Sequence, residues 1–132
     1  GSITHCEGFC CAVVASSATR AQIGVDAEPI QRLEPAVERL FARSEERASW
    51  TRLAARPACG WGLVAFSVKE AVFKSLTPTS SRTIELAEIR LRLTPAAATE
   101  GRFLASSPGG AARGFWFIEE GRVHSGAVAS PS

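Results

Sequence analysis

The run Trp61-Gly62-Leu63-Val64-Ala65-Phe66-Ser67-Val68-Lys69-Glu70-Ala71-Val72-Phe73-Lys74-Ser75-Leu76, followed by Thr77-Pro78, decides the fold. No proline interrupts it, and its apolar residues recur at three- and four-residue steps, so residues 61–76 read as one helix. Thr77-Pro78 ends it, because a proline ring cannot continue the helical ladder. Just upstream, Leu33, Val37, Leu40 and Phe41 recur at the same spacing. Ser44, followed by Glu45 and Glu46, reads as an N-cap with an acidic first turn, which predicts two helices within residues 34–56 and a break near Arg43. Residues 57–60 form a loop.

Beyond these helices the pattern is that of strands. Phe9-Cys10-Cys11-Ala12-Val13-Val14-Ala15 is apolar enough for a buried strand. Residues 16–19 read as a turn, and residues 21–28 as a second strand hairpin-paired with the first. Residues 84–93 alternate, with Leu91 and Leu93 on one side and Arg90 and Arg92 on the other. A short strand is expected over residues 101–105, then a Pro/Gly loop over 106–114. Residues 115–118 and 123–129 should pair through Glu120-Gly121 as a hairpin. The class is α+β, an antiparallel sheet with helices on one face, built as a single domain over residues 1–132.

Composition narrows the function. With 45% apolar and 21% charged residues the chain has enough material for a packed core. A formal charge of +2, with no long basic run, argues against nucleic acid as a partner. No apolar stretch approaches the ~20 residues that cross a bilayer, so no membrane association is expected. The first residues lack a signal-peptide layout, and a cytoplasmic location is expected. The absence of methionine suggests a processed piece or an excerpt of a longer protein. Cys6, Cys10 and Cys11 crowd together and Cys59 stands apart, a poor disulfide framework. A zinc site at His5, Cys6, Cys10 and Cys11 is disfavoured, since adjacent strand residues point to opposite faces; reduced, buried thiols are the better reading.

The segment Ile23-Gly24-Val25-Asp26-Ala27-Glu28-Pro29 carries chemistry. Alternation puts Gly24, Asp26 and Glu28 on one face, with the two acidic α-carbons roughly 6.5 to 7 Å apart. Like charges so close raise each other's pKa unless a cation sits between them, and a few carboxylates with room for water and phosphate suit Mg²⁺. Gly24 leaves space where a ligand could approach the backbone. Taken alone, an Asp-x-Glu is more often an ordinary solvent-facing strand surface.

The helix shifts that balance. Phe66, Glu70 and Phe73 share a narrow stripe flanked by Leu63, Lys69 and Lys74, so its charges sit among its largest apolar groups. A charge on a buried stripe costs several kcal/mol unless it is paired or binds metal. A Glu70–Lys74 ion pair would contribute only a few tenths of a kcal/mol, too little to account for the placement.

Together with Gly1-Ser2-Ile3-Thr4-His5-Cys6, these segments resemble the phosphopantetheinyl transferases. The nearer match is the larger, pseudo-dimeric type that activates siderophore, polyketide and peptide synthetases. That pattern is a Gly-Ser-x-Ser/Thr-His element, then Gly-x-Asp-x-Glu, then a helical Lys-Glu-x-x-x-Lys, and all three occur here in order. Phe41 with Glu45 resembles the family's intervening segment. The chain would then be the C-terminal half of such an enzyme.

The resemblance implies a mechanism. Asp26, Glu28 and Glu70 would hold Mg²⁺ at the pyrophosphate of coenzyme A. A serine of an acidic acyl or peptidyl carrier protein would attack the phosphorus bearing pantetheine, releasing 3′,5′-ADP. Glu70 would be the base and Lys74 would stabilise the leaving phosphate, making these the catalytic pair. His5, Lys69 and Lys74 would bind coenzyme A. The remaining partner would be the missing N-terminal half or a second copy of the chain. Arg39, Arg43 and Arg47, then Arg52 and Arg56, form either a carrier docking surface or a mixed solvated face, since Glu34, Glu38, Glu45 and Glu46 interleave. Two rival readings remain open: another Mg²⁺-dependent phosphate-ester enzyme, and a half-domain that binds coenzyme A or a partner without turnover.

Overall fold

The computed structural model describes residues 1–19, 21–78 and 83–131. Strands β1 (Ser2–Cys6) and β2 (Phe9–Val13) form an antiparallel hairpin. After a 3-10 turn at Ser17–Thr19 come β3 (Gln22–Pro29) and the helices α1 (Pro35–Phe41), α2 (Ser44–Trp50) and α3 (Trp61–Leu76). A second 3-10 turn at Leu86–Glu88 leads to β4 (Arg90–Ala97), β5 (Glu100–Ser107), β6 (Gly110–Glu119) and β7 (Arg122–Pro131). Strands β3 to β7 make one antiparallel sheet in the order β3-β7-β6-β5-β4. The α+β class holds, with α3 as the central helix on one face of this sheet.

Helix α3 is held mainly by apolar burial. Val64, Val68, Val72 and Leu76 have no exposed surface, and each contributes roughly 1.5–3 kcal/mol on burial. Its backbone rides directly on β3 at Gly24, where an added Cβ would lie 2.0 Å from the Ala71 carbonyl oxygen. The gap left by Gly24 therefore admits the helix, not a ligand, and any side chain there would push α3 off the sheet. Ser67 lies in this interface and its hydroxyl meets the Ser125 hydroxyl of β7 at 2.9 Å.

Several local expectations are corrected. Strand β3 does not pair with β2; it pairs with β7, Asp26 facing Ser125 and Glu28 facing Val123. The chain entering β3 from β2 passes through the 3-10 turn, and β2 closes back on β1 instead. Residues 106–114 are not a loop. Strands β5 and β6 run through them, separated only by Pro108 and Gly109. Ser44 is the first residue of α2 and Arg43 the cap, with no side-chain cap bond. In α1 only Phe41 of the apolar set is buried, whereas Val37 and Leu40 are 42% and 78% exposed. The Glu120-Gly121 hairpin is as expected: both residues have positive φ, 51° and 74°, as a type I′ turn requires. No helix among the described residues is long and apolar enough to cross a membrane.

Candidate functional site

Strand β3 is an edge strand, so alternate backbone groups on its free side need partners. They find them in side chains of β1. The Val25 N–H donates to Ser2 Oγ and the Ala27 N–H to Thr4 Oγ1, both at 3.1 Å. Alternation along β1 turns Ser2 and Thr4 toward β3 and leaves Ile3 and His5 exposed. The same free edge offers the Val25 carbonyl, which accepts from Lys74 Nζ at 3.0 Å. Lys74 also reaches the Ile3 carbonyl at 3.5 Å and Asp26 Oδ1 at 3.3 Å. One ammonium thus ties β1, β3 and α3 together.

The structure brings Asp26, Glu28, Glu70 and Lys74 into one cluster. Asp26 is 6% exposed, and its second oxygen, Oδ2, is buried where no N–H or hydroxyl group reaches it. Burial, then the Asp26 charge beside it and a hydrogen bond that the protonated Glu28 donates to Asp26, push the Glu28 carboxyl up to about 8. Glu70 is raised by burial and by the Asp26 charge, with Lys74 opposing the shift. The ion pair that forms is Lys74 with Asp26, not Lys74 with Glu70. Three carboxyl groups therefore share one ammonium, and burial with mutual repulsion holds the proton on Glu28 up to about 8.

That imbalance fits a divalent cation. Among the described residues no three His, Cys, Asp or Glu side chains converge as a ready-made metal cage. Mg²⁺ does not require one, since it takes one or two carboxylates and completes its shell with water and phosphate oxygens. Asp26 Oδ2, with the Glu28 and Glu70 carboxyls in the same cluster, offers oxygen donors of the type such an ion takes.

Lys69 is a correction. Expected beside the phosphates, it is 0% exposed, with Nζ 2.6 Å from Glu46 Oε1 and 2.6 Å from the Phe41 carbonyl oxygen. One residue on an α-helix turns the side chain by about 100°. Lys69 therefore points into α1 and α2, while Glu70 lies on the half-open side of α3 with Phe66, Phe73 and Lys74. The stripe that looked buried is this open side, and Lys69 is the only one of the three charges that is fully buried. Its partner Glu46 was missed as a site residue, because Glu45 stood at the family-like spacing; Glu45 is exposed. Only the tertiary fold distinguishes these two neighbours. His5 lies exposed on β1 opposite Cys10, outside the cluster's described contacts. The thiols are all free, with Cys59 buried but Cys10 exposed, contrary to the expectation of burial.

A family model described as the 4'-phosphopantetheinyl transferase superfamily matches residues 22–125. The chain is 38% identical over 141 aligned residues to 4'-phosphopantetheinyl transferase Svp of Streptomyces mobaraensis, an alignment covering 100% of this chain and 57% of that protein. It is 31% identical to 4'-phosphopantetheinyl transferase PptT of Mycobacterium tuberculosis, over 93% of this chain and 59% of that one. With 4'-phosphopantetheinyl transferase Npt of Nocardia iowensis the identity is 32% over 69% of the chain, or 40% of that protein. The chain thus spans a little over half the length of the first two relatives.

Proposed function

This chain belongs to the 4'-phosphopantetheinyl transferase superfamily, and from that premise we propose that it carries the metal-binding half of a Mg²⁺-dependent enzyme transferring 4'-phosphopantetheine from coenzyme A to a carrier-protein serine. The observation that carries the reading is the buried Asp26 Oδ2, which no N–H or hydroxyl group reaches, beside the Glu28 and Glu70 carboxyls whose pKa values are raised. Asp26, Glu28 and Glu70 hold the ion. When bound there, Mg²⁺ would supply the positive charge that offsets the phosphate oxygens of coenzyme A. Glu70, whose pKa is raised by burial and by the Asp26 charge, accepts the proton of the serine hydroxyl. The serine oxygen bonds to the phosphorus bearing pantetheine as the bond to 3′,5′-ADP breaks. Lys74, one helical turn from Glu70 and already at the cluster, stabilises the charge on that leaving phosphate. His5, exposed on the neighbouring strand, contacts coenzyme A.

The docking side for an acidic carrier protein is the α1–α2 arm. Exposed Val37 and Leu40 lie there beside exposed Arg39 and Arg43, an apolar patch rimmed by cations. The opposite face of the sheet suits the other half of the enzyme or a second copy of this chain. Ser125 faces α3, so by strand alternation Leu104, Phe115 and Val128 point away from it, and they are 57%, 50% and 41% exposed. An apolar face of that kind favours association.

The full-length protein, supplied with coenzyme A, Mg²⁺ and an apo carrier protein, should add phosphopantetheine to the carrier and release equimolar 3′,5′-ADP. A carrier with its acceptor serine replaced by alanine should remain unmodified. Coenzyme A binding with no carrier modification would favour the binding-only reading, and hydrolysis without a carrier would favour another phosphate-ester enzyme.

A further inference from the structure

Lys69 and Glu46 form a polar junction outside the acidic cluster. Glu46 Oε1 holds Lys69 Nζ at 2.6 Å, and Glu46 Oε2 accepts the Leu91 N–H at 3.0 Å. Lys69 also donates to the carbonyl of Phe41, the last residue of α1, at 2.6 Å. That carbonyl is among those a helix end leaves without an intrahelical partner, and a cation suits it. A chain of short contacts therefore runs from the start of β4 through α2 to α3 and the end of α1. The side chains of the pair are 1% and 10% exposed.

Most of what holds α3 is apolar and so has no preferred direction. Three described side chains of α3 make directional contacts with other elements. Ser67 meets Ser125, and Lys74 meets the Val25 carbonyl and Asp26, on the side of β3 and β7. Lys69 meets Glu46 on the opposite, helix side, where it is the one such anchor described. Together they fix the rotation of α3 about its own axis. Glu70 follows Lys69 directly, so whatever sets the direction of Lys69 sets that of Glu70. The Phe41 ring also packs edge-on against Phe66 at 5.3 Å, one turn before Glu70 on the open side. Fold stability alone is a poor account of the pair, since a buried ion pair is often no better than apolar residues of equal volume.

We propose that Lys69 and Glu46 are positioning residues: their buried pair sets the rotation of α3 and so aims Glu70 at Asp26 and Glu28. This rests on the metal-dependent reading of that cluster. Replacing both partners by apolar residues of similar size separates fold from aim. In the full-length protein, Glu46→Leu combined with Lys69→Met should still unfold cooperatively, with a modestly lower melting temperature from the Leu91 N–H and Phe41 carbonyl that lose their partners. It should nevertheless bind Mn²⁺, used as a spectroscopic probe, about tenfold more weakly. kcat for carrier modification should fall by a similar factor, with KM for coenzyme A unchanged. Should the double variant fold poorly, Glu46→Asp keeps the charge but shortens the reach, and it should show a weaker form of the same metal loss. A stably folded variant that binds Mn²⁺ and turns over like wild type overturns the positioning role alone. Wild-type protein that binds no Mn²⁺ at the cluster overturns both this role and the functional reading beneath it.

Discussion

Lys69 and Glu70 are neighbours on α3, yet the charge clusters they belong to differ in every respect that matters. Around Lys69 the charges balance: one ammonium meets one carboxylate, and the remaining capacity goes to the Phe41 carbonyl and the Leu91 N–H. Around Glu70 they do not: three carboxyls share Lys74, two have raised pKa values, and Asp26 keeps a buried oxygen that no N–H or hydroxyl group reaches. A satisfied cluster can only hold shape. A cluster of carboxyls with raised pKa values is the kind of place where proteins put chemistry, which is why the proposed cation belongs there.

The comparison breaks most sharply at Asp26. Asp26→Ala should reduce Mg²⁺-dependent transfer by about a thousandfold or more, with the fold intact by circular dichroism. Near-normal turnover would remove the metal assignment. On the balanced side the loss should appear as stability instead. Lys69→Met alone leaves Glu46 buried without its ion and should lower unfolding free energy by about 3–5 kcal/mol in denaturant titration. A loss below 1 kcal/mol would mean that Glu46 finds water and that the two clusters are more alike than drawn.

Lys74 lies between the extremes, since it serves the acidic cluster while also bridging β1 and β3. Lys74→Ala should lower kcat by roughly ten- to a hundredfold while weakening coenzyme A binding much less, because in the proposed mechanism its charge acts as the phosphate leaves. A change confined to KM would make it a ground-state clamp.

The smallest effect concerns pH. Glu28 takes up its proton near 4.5 when unfolded and at about 8 when folded, so across that interval the folded state binds more protons. Stability of the metal-free protein should therefore fall as pH rises from about 4.5 to 8, by on the order of 1–2 kcal/mol after solvent screening. Thermal melts across this range should show that slope, and saturating Mg²⁺ should flatten it. A melting temperature that rises with pH over the same interval would mean that the carboxyls are already neutralised by protein groups.

Much of this was legible because it is local. The extent of α3, the break between α1 and α2, the Glu120-Gly121 turn and the shared face of Asp26 and Glu28 all follow from spacing within a few residues. What was not legible depends on distant partners. Pairing of β3 with β7 joins residues about a hundred positions apart, as in Asp26 with Ser125. Burial of Lys69 rather than Lys74 follows from where α1 and α2 fold back. Gly24 read as room for a ligand because nothing local says that the Ala71 carbonyl fills it. Residues 106–114 read as a loop because small Ala, Ser and Gly have weak strand preference, and pairing on both sides of β6 overrides it.

The central claim is that Asp26, Glu28 and Glu70 together bind one divalent cation. Calorimetric titration of Mg²⁺ into the full-length protein near neutral pH, repeated in buffers of different ionisation heat, tests it most directly. One saturable site should appear, releasing about one proton as the raised carboxyls ionise. Asp26→Asn should abolish both the site and the proton release. An identical isotherm for wild type and Asp26→Asn would contradict the account.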